Sequence, residues 1–264
     1  MENGIESPLP ARFEHGSFVV DFDPSLCLPP DMAGVAMGFE AAAVINTMRA
    51  AAAEPALPVR ALELGTGSGV CLAAMLHGVR NTEGVAVTGL DIHEGAVTIT
   101  RHNLAAQTGA GAAPADIFVG DWYDPSVWSR FGAQAYDVIL CNPPYLAEGT
   151  PLMDGYDIVP PAALFAEDGG LAHHRFLLPR MLGALGARHG ATAITRFHST
   201  IRGEFETSQA IDDVVTSSIM QAPPLSDFAI VRRHLALVAP GRNMATVTIS
   251  RTSSLTPPHL CPPQ

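Results

Sequence analysis

The chain has 264 residues, 47% hydrophobic and 16% charged, and a formal net charge of −11. That is enough to bury a substantial core in one large domain or two small ones, and too apolar for a disordered chain. The acidic balance argues against a nucleic-acid partner, no apolar run reaches the roughly 18 residues of a membrane span, and Met1–Glu6 lack a basic-then-apolar leader, so a cytoplasmic protein is expected.

Residues 1–30 are proline-rich with one β-like run, Ser17–Val20, and read as an N-terminal arm. Asp31 is placed as the N-cap of a buried Ala-rich helix reaching Ala53, with Met32, Met37 and Met48 as core filling. Glu54–Pro58 closes it. Strands follow at Val59–Leu64 and Val85–Asp91, each leading into a helix, Val70–Leu76 and Glu94–Gln107. Gly109–Pro114 is a loop, Ile117–Val119 a third strand and Tyr136–Cys141 a fourth. Thr150–Ala163 is a proline-bearing loop and Leu171–Arg188 a helix. Ala191–Phe197 is a fifth strand, Glu204–Met220 a helix, and Asp227–Val238 and Ala245–Ser250 are the last two strands. Strands alternating with helices give crossover units. The expected architecture is therefore a doubly wound α/β sheet of seven strands, mostly parallel, with an antiparallel last strand. The main folded domain is placed at residues 31–251 and a flexible tail at 252–264.

Two places in this order carry chemistry. The first is Gly65-Thr66-Gly67-Ser68-Gly69, which sits between a strand and a helix start, where a nucleotide-type cofactor binds. The next strands end in Asp91, which can accept two ribose hydroxyls, and in Gly120-Asp121-Trp122. A dinucleotide site wants Gly-x-Gly-x-x-Gly; here the spacing is Gly-x-Gly-x-Gly, with Glu63 beside the first glycine. That carboxylate would repel a pyrophosphate but suits a cofactor with an ammonium and a sulfonium, which selects S-adenosylmethionine over NAD.

The second is Asn142-Pro143-Pro144-Tyr145, which ends the apolar run Val138–Cys141. Two consecutive prolines force the chain out of the strand and fix a rigid loop at its carboxyl end. The loop offers an amide, a backbone carbonyl and an aromatic face in a set arrangement. Two acceptors holding the hydrogens of a planar nitrogen would turn its lone pair towards a methyl donor, and positioning carries most of the rate.

Glu63–Gly69, Asp91, Gly120-Asp121 and Asn142–Tyr145, in this order, resemble the class I S-adenosylmethionine-dependent methyltransferases. The chain is most similar there to the protein-(glutamine-N5) methyltransferases that modify release factors, over about residues 59–185. The resemblance implies a Rossmann-like methyltransferase fold and a set of roles. Glu63, Gly65 and Gly67, with Thr66 and Gly69 in the same turn, would bind the methionine and ribose part of the cofactor. Asp91 would hold the ribose and Ile92 pack on adenine. Asp121 would take the adenine amino group, flanked by Trp122. Asn142, next to the cofactor, and the Pro143 carbonyl would hold the acceptor nitrogen, with Tyr145 on its plane. The chain departs from the family at Leu28-Pro29-Pro30-Asp31-Met32, where the family carries Arg-Pro-x-Thr-Glu, and at Thr195–Ser199, where it carries Glu-Ile-Gly. About 58 residues precede the first core strand, in place of the family's helical recognition domain.

A protein glutamine is therefore the favoured methyl acceptor, with a small amine or amide and a nucleic-acid base as alternatives. All 15 basic residues are arginine, which excludes a catalytic lysine. The four cysteines form no Cys-x-x-Cys pair and no metal site is expected; Cys71 and Cys141 read as core. His173-His174 reads as a partly exposed helix face, while His198, at a strand end, is placed near ligands. Trp128 reads as packing, Asp212-Asp213 as a solvated face. The oligomeric state is left open.

Overall fold

The computed structural model describes residues 11–51, 58–79, 83–108, 115–132, 135–152, 154–199, 204–222, 228–239 and 242–252. The loop expected at 109–114 and the tail from 253 onwards lie outside these residues.

Strands β1 (Ala11–His15) and β2 (Phe18–Phe22) pair as an antiparallel hairpin. Helix α1 (Met32–Ala51) follows, and the Asp31 Oδ1 accepts the Gly34 N–H at 2.7 Å, the cap the sequence indicates. Five parallel strands come next: β3 (Val59–Leu64), β4 (Val85–Asp91), β5 (Ala115–Val119), β6 (Val138–Cys141) and β7 (Thr192–Ser199). Between them run α2 (Val70–Gly78), α3 (Glu94–Thr108), α4 (Pro125–Gly132), a short turn α5 (Glu167–Gly170) and α6 (Ala172–Ala184). Helix α7 (Glu204–Gln221) precedes β8 (Phe228–Ala239) and β9 (Arg242–Arg251). The last strand, β9, inserts antiparallel between β7 and β8, so the order is β5-β4-β3-β6-β7-β9-β8. The seven-stranded, mostly parallel sheet is the one expected.

The inner strands are apolar on both faces. Val138–Cys141 is buried throughout and only Arg60 of β3 is exposed, as a sheet covered on both sides requires. One core cluster joins β2, α1, α2 and α3; the other joins α4, α6 and α7 across the opposite face. The chain moves outward from β3 to β5, then returns to β6 on the other side of β3. That reversal opens a crevice at the carboxyl ends of β3 and β6, where such sheets hold ligands. After β6 the chain leaves on a long excursion whose two ends are tied. Leu146 N–H donates to the Leu164 carbonyl and Ala166 N–H to the Leu146 carbonyl, both at 2.9 Å, around a parallel bridge between Leu146 and Phe165.

Several expectations are corrected. The arm expected over 1–30 is, from Ala11 on, a hairpin and strap packed onto the domain, with Phe18 and Val20 in the core. The sequence shows β2 and misses β1, whose side chains are mostly exposed and so carry no apolar alternation. Helix α4 was also missed; it is one short amphipathic stretch starting on a proline. Helix α6 stops at Ala184 rather than Arg188 because Leu185 turns extended to bridge Tyr136. Met32, at the first position of α1, is 50% exposed and fills no core.

Candidate active site

The crevice contains a cavity of about 280 Å³, just under the roughly 300 Å³ at which small-molecule sites begin. The loops after β3, β4, β5 and β6 supply its floor, the strap Leu26–Asp31 and the excursion after β6 its walls. Of the residues singled out from the sequence, Glu63, Gly65, Thr66, Gly67, Asp91, Ile92, Asp121, Trp122, Asn142, Pro143 and Tyr145 all line this one cavity. Gly69 does not. It takes a left-handed conformation (φ 75°) at the cap of α2, where an added Cβ would stand 2.9 Å from the Thr100 side chain. Its glycine serves turn geometry and packing.

Each polar group of the cavity has a traceable local cause. Asp91 ends β4; its Oδ2 accepts the Gly67 N–H at 2.8 Å and its Oδ1 the His93 N–H at 3.0 Å. These bonds shape the glycine turn and leave each oxygen a lone pair for a hydroxyl donor. Asp121 Oδ1 accepts the Tyr123 N–H at 2.8 Å, leaving Oδ2 for another donor. At Gly65 (φ 74°) the missing Cβ would lie 2.9 Å from the Trp122 ring, so the turn and the indole pack directly. Ile92 is 59% exposed at the mouth, an apolar group open to a flat ring.

Two buried acceptors stand out. Glu63 Oε2, at 1% residue exposure, has no hydrogen-bond partner. Burial pushes the Glu63 carboxyl up to about 8, against partial compensation by hydrogen bonds from Cys71 and the Leu72 backbone. Asn142 Oδ1, at the start of the clamp, is likewise buried without a partner. A buried acceptor left unpaired costs about 1–3 kcal/mol. Both therefore fit a ligand that brings a positive charge to one and an N–H to the other. Tyr145 is buried, which pushes its hydroxyl up to about 12, with Arg196 and Asp31 near enough to pull in opposite directions. These features, with the glycine turn, match the donor and charge pattern of S-adenosylmethionine. Among the described residues no cluster of His, Cys, Asp and Glu could hold a metal ion.

One of the two adjacent histidines departs from expectation. His173 lines the cavity, its Nδ1 2.8 Å from the Tyr123 hydroxyl and its ring 5.3 Å edge-on from Trp122. His174 is buried, stacks on Phe197 at 3.9 Å and donates from Nε2 to the Arg196 carbonyl at 2.7 Å. His174 is thus core and no partly exposed helix face, whereas His173, half-buried on α6, keeps that description. A sequence pattern counts helical periods from one end, and the kink at Asp168-Gly169 just before α6 resets that count. The His198 side chain lies outside the described groups. Sequence reasoning missed the strap residues Leu26–Asp31, and Tyr156 and Met244, which also line the cavity. The departure at Leu28–Met32 was the one signal that pointed there.

Residues 41–170, just under half of the chain, match the family model of the methyltransferase small domain. The matched segment contains the glycine turn, both acids and the clamp. The chain is similar to the release factor glutamine methyltransferase of Yersinia pestis, 34% identical over 45% of this chain and 39% of that protein. It is similar too to the one of Bordetella pertussis, 35% identical over 43% of this chain and 38% of that protein. The chain thus aligns with well under two thirds of these relatives' length. Its fold is that of a SAM-dependent methyltransferase from Agrobacterium tumefaciens, with a TM-score of 0.56 at 16% identity, covering 95% of this chain and 72% of the other. Family match and fold support S-adenosylmethionine as the cofactor.

Proposed function

We propose that the chain is an S-adenosylmethionine-dependent N-methyltransferase acting on a planar amide or amine nitrogen, with a protein glutamine side chain as the favoured acceptor. One observation carries the reading: Asn142, whose buried Oδ1 has no partner, and Glu63, whose buried Oε2 has none, line the same cavity. When bound, the cofactor supplies an electrophilic methyl group on a positively charged sulfur. Glu63 balances that charge and the ammonium of the same molecule. Asp91 accepts from the ribose hydroxyls and Asp121 from the adenine amino group, while Ile92 and Trp122 hold the ring. Gly65, Thr66 and Gly67 line its path with backbone instead of side chain.

Asn142 Oδ1 and the Pro143 carbonyl take the two hydrogens of the acceptor nitrogen and Tyr145 packs on its plane. Held in this way, the nitrogen lone pair would face the electrophilic methyl group that the cofactor would supply. One proton leaves for solvent once the nitrogen is cationic, so no strong base is needed beforehand. The named relatives support glutamine as the acceptor. A small-molecule acceptor is the second reading, favoured by the strap Leu26–Pro30, which together with Leu152, Tyr156 and Ala163 makes an apolar enclosure. A base in nucleic acid finds no support in the net charge of −11. Among the described residues the cysteines Cys27, Cys71 and Cys141 are free, which suits a cytoplasmic setting.

Incubation with labelled S-adenosylmethionine and a cell lysate tests this. Label should enter protein or small molecules; absence of cofactor binding at millimolar concentration would overturn the assignment.

A further inference from the structure

Three cavity-lining side chains from three separate segments converge on one buried guanidinium. Thr195 of β7 pairs with Cys141 of β6, so the next residue, Arg196, stands abreast of Asn142 across the sheet. Arg196 is fully buried and does not itself reach the cavity. Its Nη1 and Nη2 donate to Oδ1 and Oδ2 of Asp31 at 3.2 and 3.0 Å, a bidentate pair. Nη2 also touches the Met244 sulfur on β9, and the Tyr145 hydroxyl lies within the guanidinium's field. Asp31, Tyr145 and Met244 all line the cavity. In sequence, Leu28–Met32 and Thr195–Ser199 are separate departures from the family whose core the chain resembles. In space they are one contact.

The Asp31 carboxylate is not saturated by these bonds. Its Oδ1 accepts from both Gly34 N–H and Arg196, but Oδ2 accepts only from Arg196. A carboxylate oxygen takes about two donors, and the Asp31 side chain is 33% exposed. The sheet order decides which ligand can use that lone pair. The loops read as cofactor-binding end β3, β4 and β5, whereas the Asp31–Arg196 pair lies on the β7 flank of the clamp. The pair is neutral as a unit, so it selects a hydrogen-bond donor and exerts little pull on a net cation.

We propose that Asp31 is a specificity-determining residue that accepts an N–H or O–H of the methyl acceptor, and that Arg196 is the positioning residue that fixes it. The acceptor class is thereby narrowed to molecules with a second donor near the methylated nitrogen. A glutamine within a polypeptide offers its own backbone N–H; a small amide or amine would offer a neighbouring hydroxyl or amino group. This rests on the N-methyltransferase reading above.

The test uses the full chain, labelled S-adenosylmethionine, and a cell extract split by size into macromolecules and small molecules. Transfer is followed as extract concentration is varied, for wild type, Asp31→Asn, Arg196→Met and Arg196→Lys. For Asp31→Asn and Arg196→Met, the extract concentration giving half-maximal rate should rise at least tenfold. The maximal rate should fall much less, and S-adenosylmethionine affinity by calorimetry should stay within about threefold of wild type. Arg196→Lys should recover part of the loss. The labelled fraction tells a polypeptide source from a free small molecule. Half-maximal concentrations equal to wild type in both variants, or a loss of cofactor affinity matching the loss of transfer, would overturn the proposal. Wild type that binds no cofactor or labels neither fraction overturns the N-methyltransferase reading, and this proposal with it.

Discussion

Glu63 couples cofactor binding, stability and pH in a way that one substitution can expose. Its carboxyl is buried and pushed from 4.5 up to about 8, chiefly by desolvation. A group raised above its unfolded value stabilises the fold in its protonated form. That stability is fully present below the unfolded value and is lost as pH rises through about 8. At about 1.4 kcal/mol per pH unit, the cost reaches about 3 kcal/mol at pH 7 and about 5 kcal/mol well above pH 8 in the cofactor-free chain. Glu63→Gln keeps the shape and removes the titration. Urea unfolding at pH 5, 6, 7 and 8 should show the variant gaining on wild type with each step, by about 3 kcal/mol at pH 7 and under 1 kcal/mol at pH 5. Saturating S-adenosylmethionine should erase the gap by favouring the charged carboxylate of wild type, and the variant should bind that cofactor at least tenfold more weakly. A stability difference that is flat across this pH range would refute the reasoning, because it would mean that Glu63 is already ionised in the empty cavity.

Asn142→Ala should lower methyl transfer by at least about a thousandfold, with cofactor affinity within about threefold by calorimetry, because positioning terms of this kind reach about 7–11 kcal/mol. Gly65→Ala places a Cβ against Trp122 on a left-handed backbone, a strain of about 1–2 kcal/mol before any repacking; cofactor affinity should fall more than tenfold while the circular-dichroism spectrum is kept. His174 is pulled from 6.5 down to about 4 by burial. Its contribution is therefore present above 6.5 and lost as pH falls towards 4, by up to about 3 kcal/mol. Urea melts of His174→Gln should lack that acid-side slope while wild type keeps it.

Much of the fold was legible because β3 and β6 are mostly apolar runs closed by glycine and by Asn142 and proline, signals that need no tertiary context. The lining of the cavity was legible from position: Asp91, Asp121 and Asn142 each stand at or just past a strand's carboxyl end, and a parallel sheet brings such ends together. What sequence could not show was long-range pairing. Asp31 read correctly as a cap, yet its carboxylate also meets Arg196, 165 residues away. A glycine that makes room for Thr100, as Gly69 does, and one that makes room for a ligand look alike in a string. His174 was misread because it is held by groups outside α6, namely Phe197 and the Arg196 carbonyl.

The tied neck at Leu146 and Phe165 has a consequence for how such a molecule can change. Because the two ends are sewn to each other, residues 147–163 hang as a cassette from a fixed frame. Lengthening or exchanging the cassette adds little closure entropy and leaves the Asn142 frame where it is. Its Leu152, Tyr156 and Ala163 could thus be redrawn for a new guest while the reaction stays the same. One wall of the cavity can therefore vary apart from the sheet beneath it.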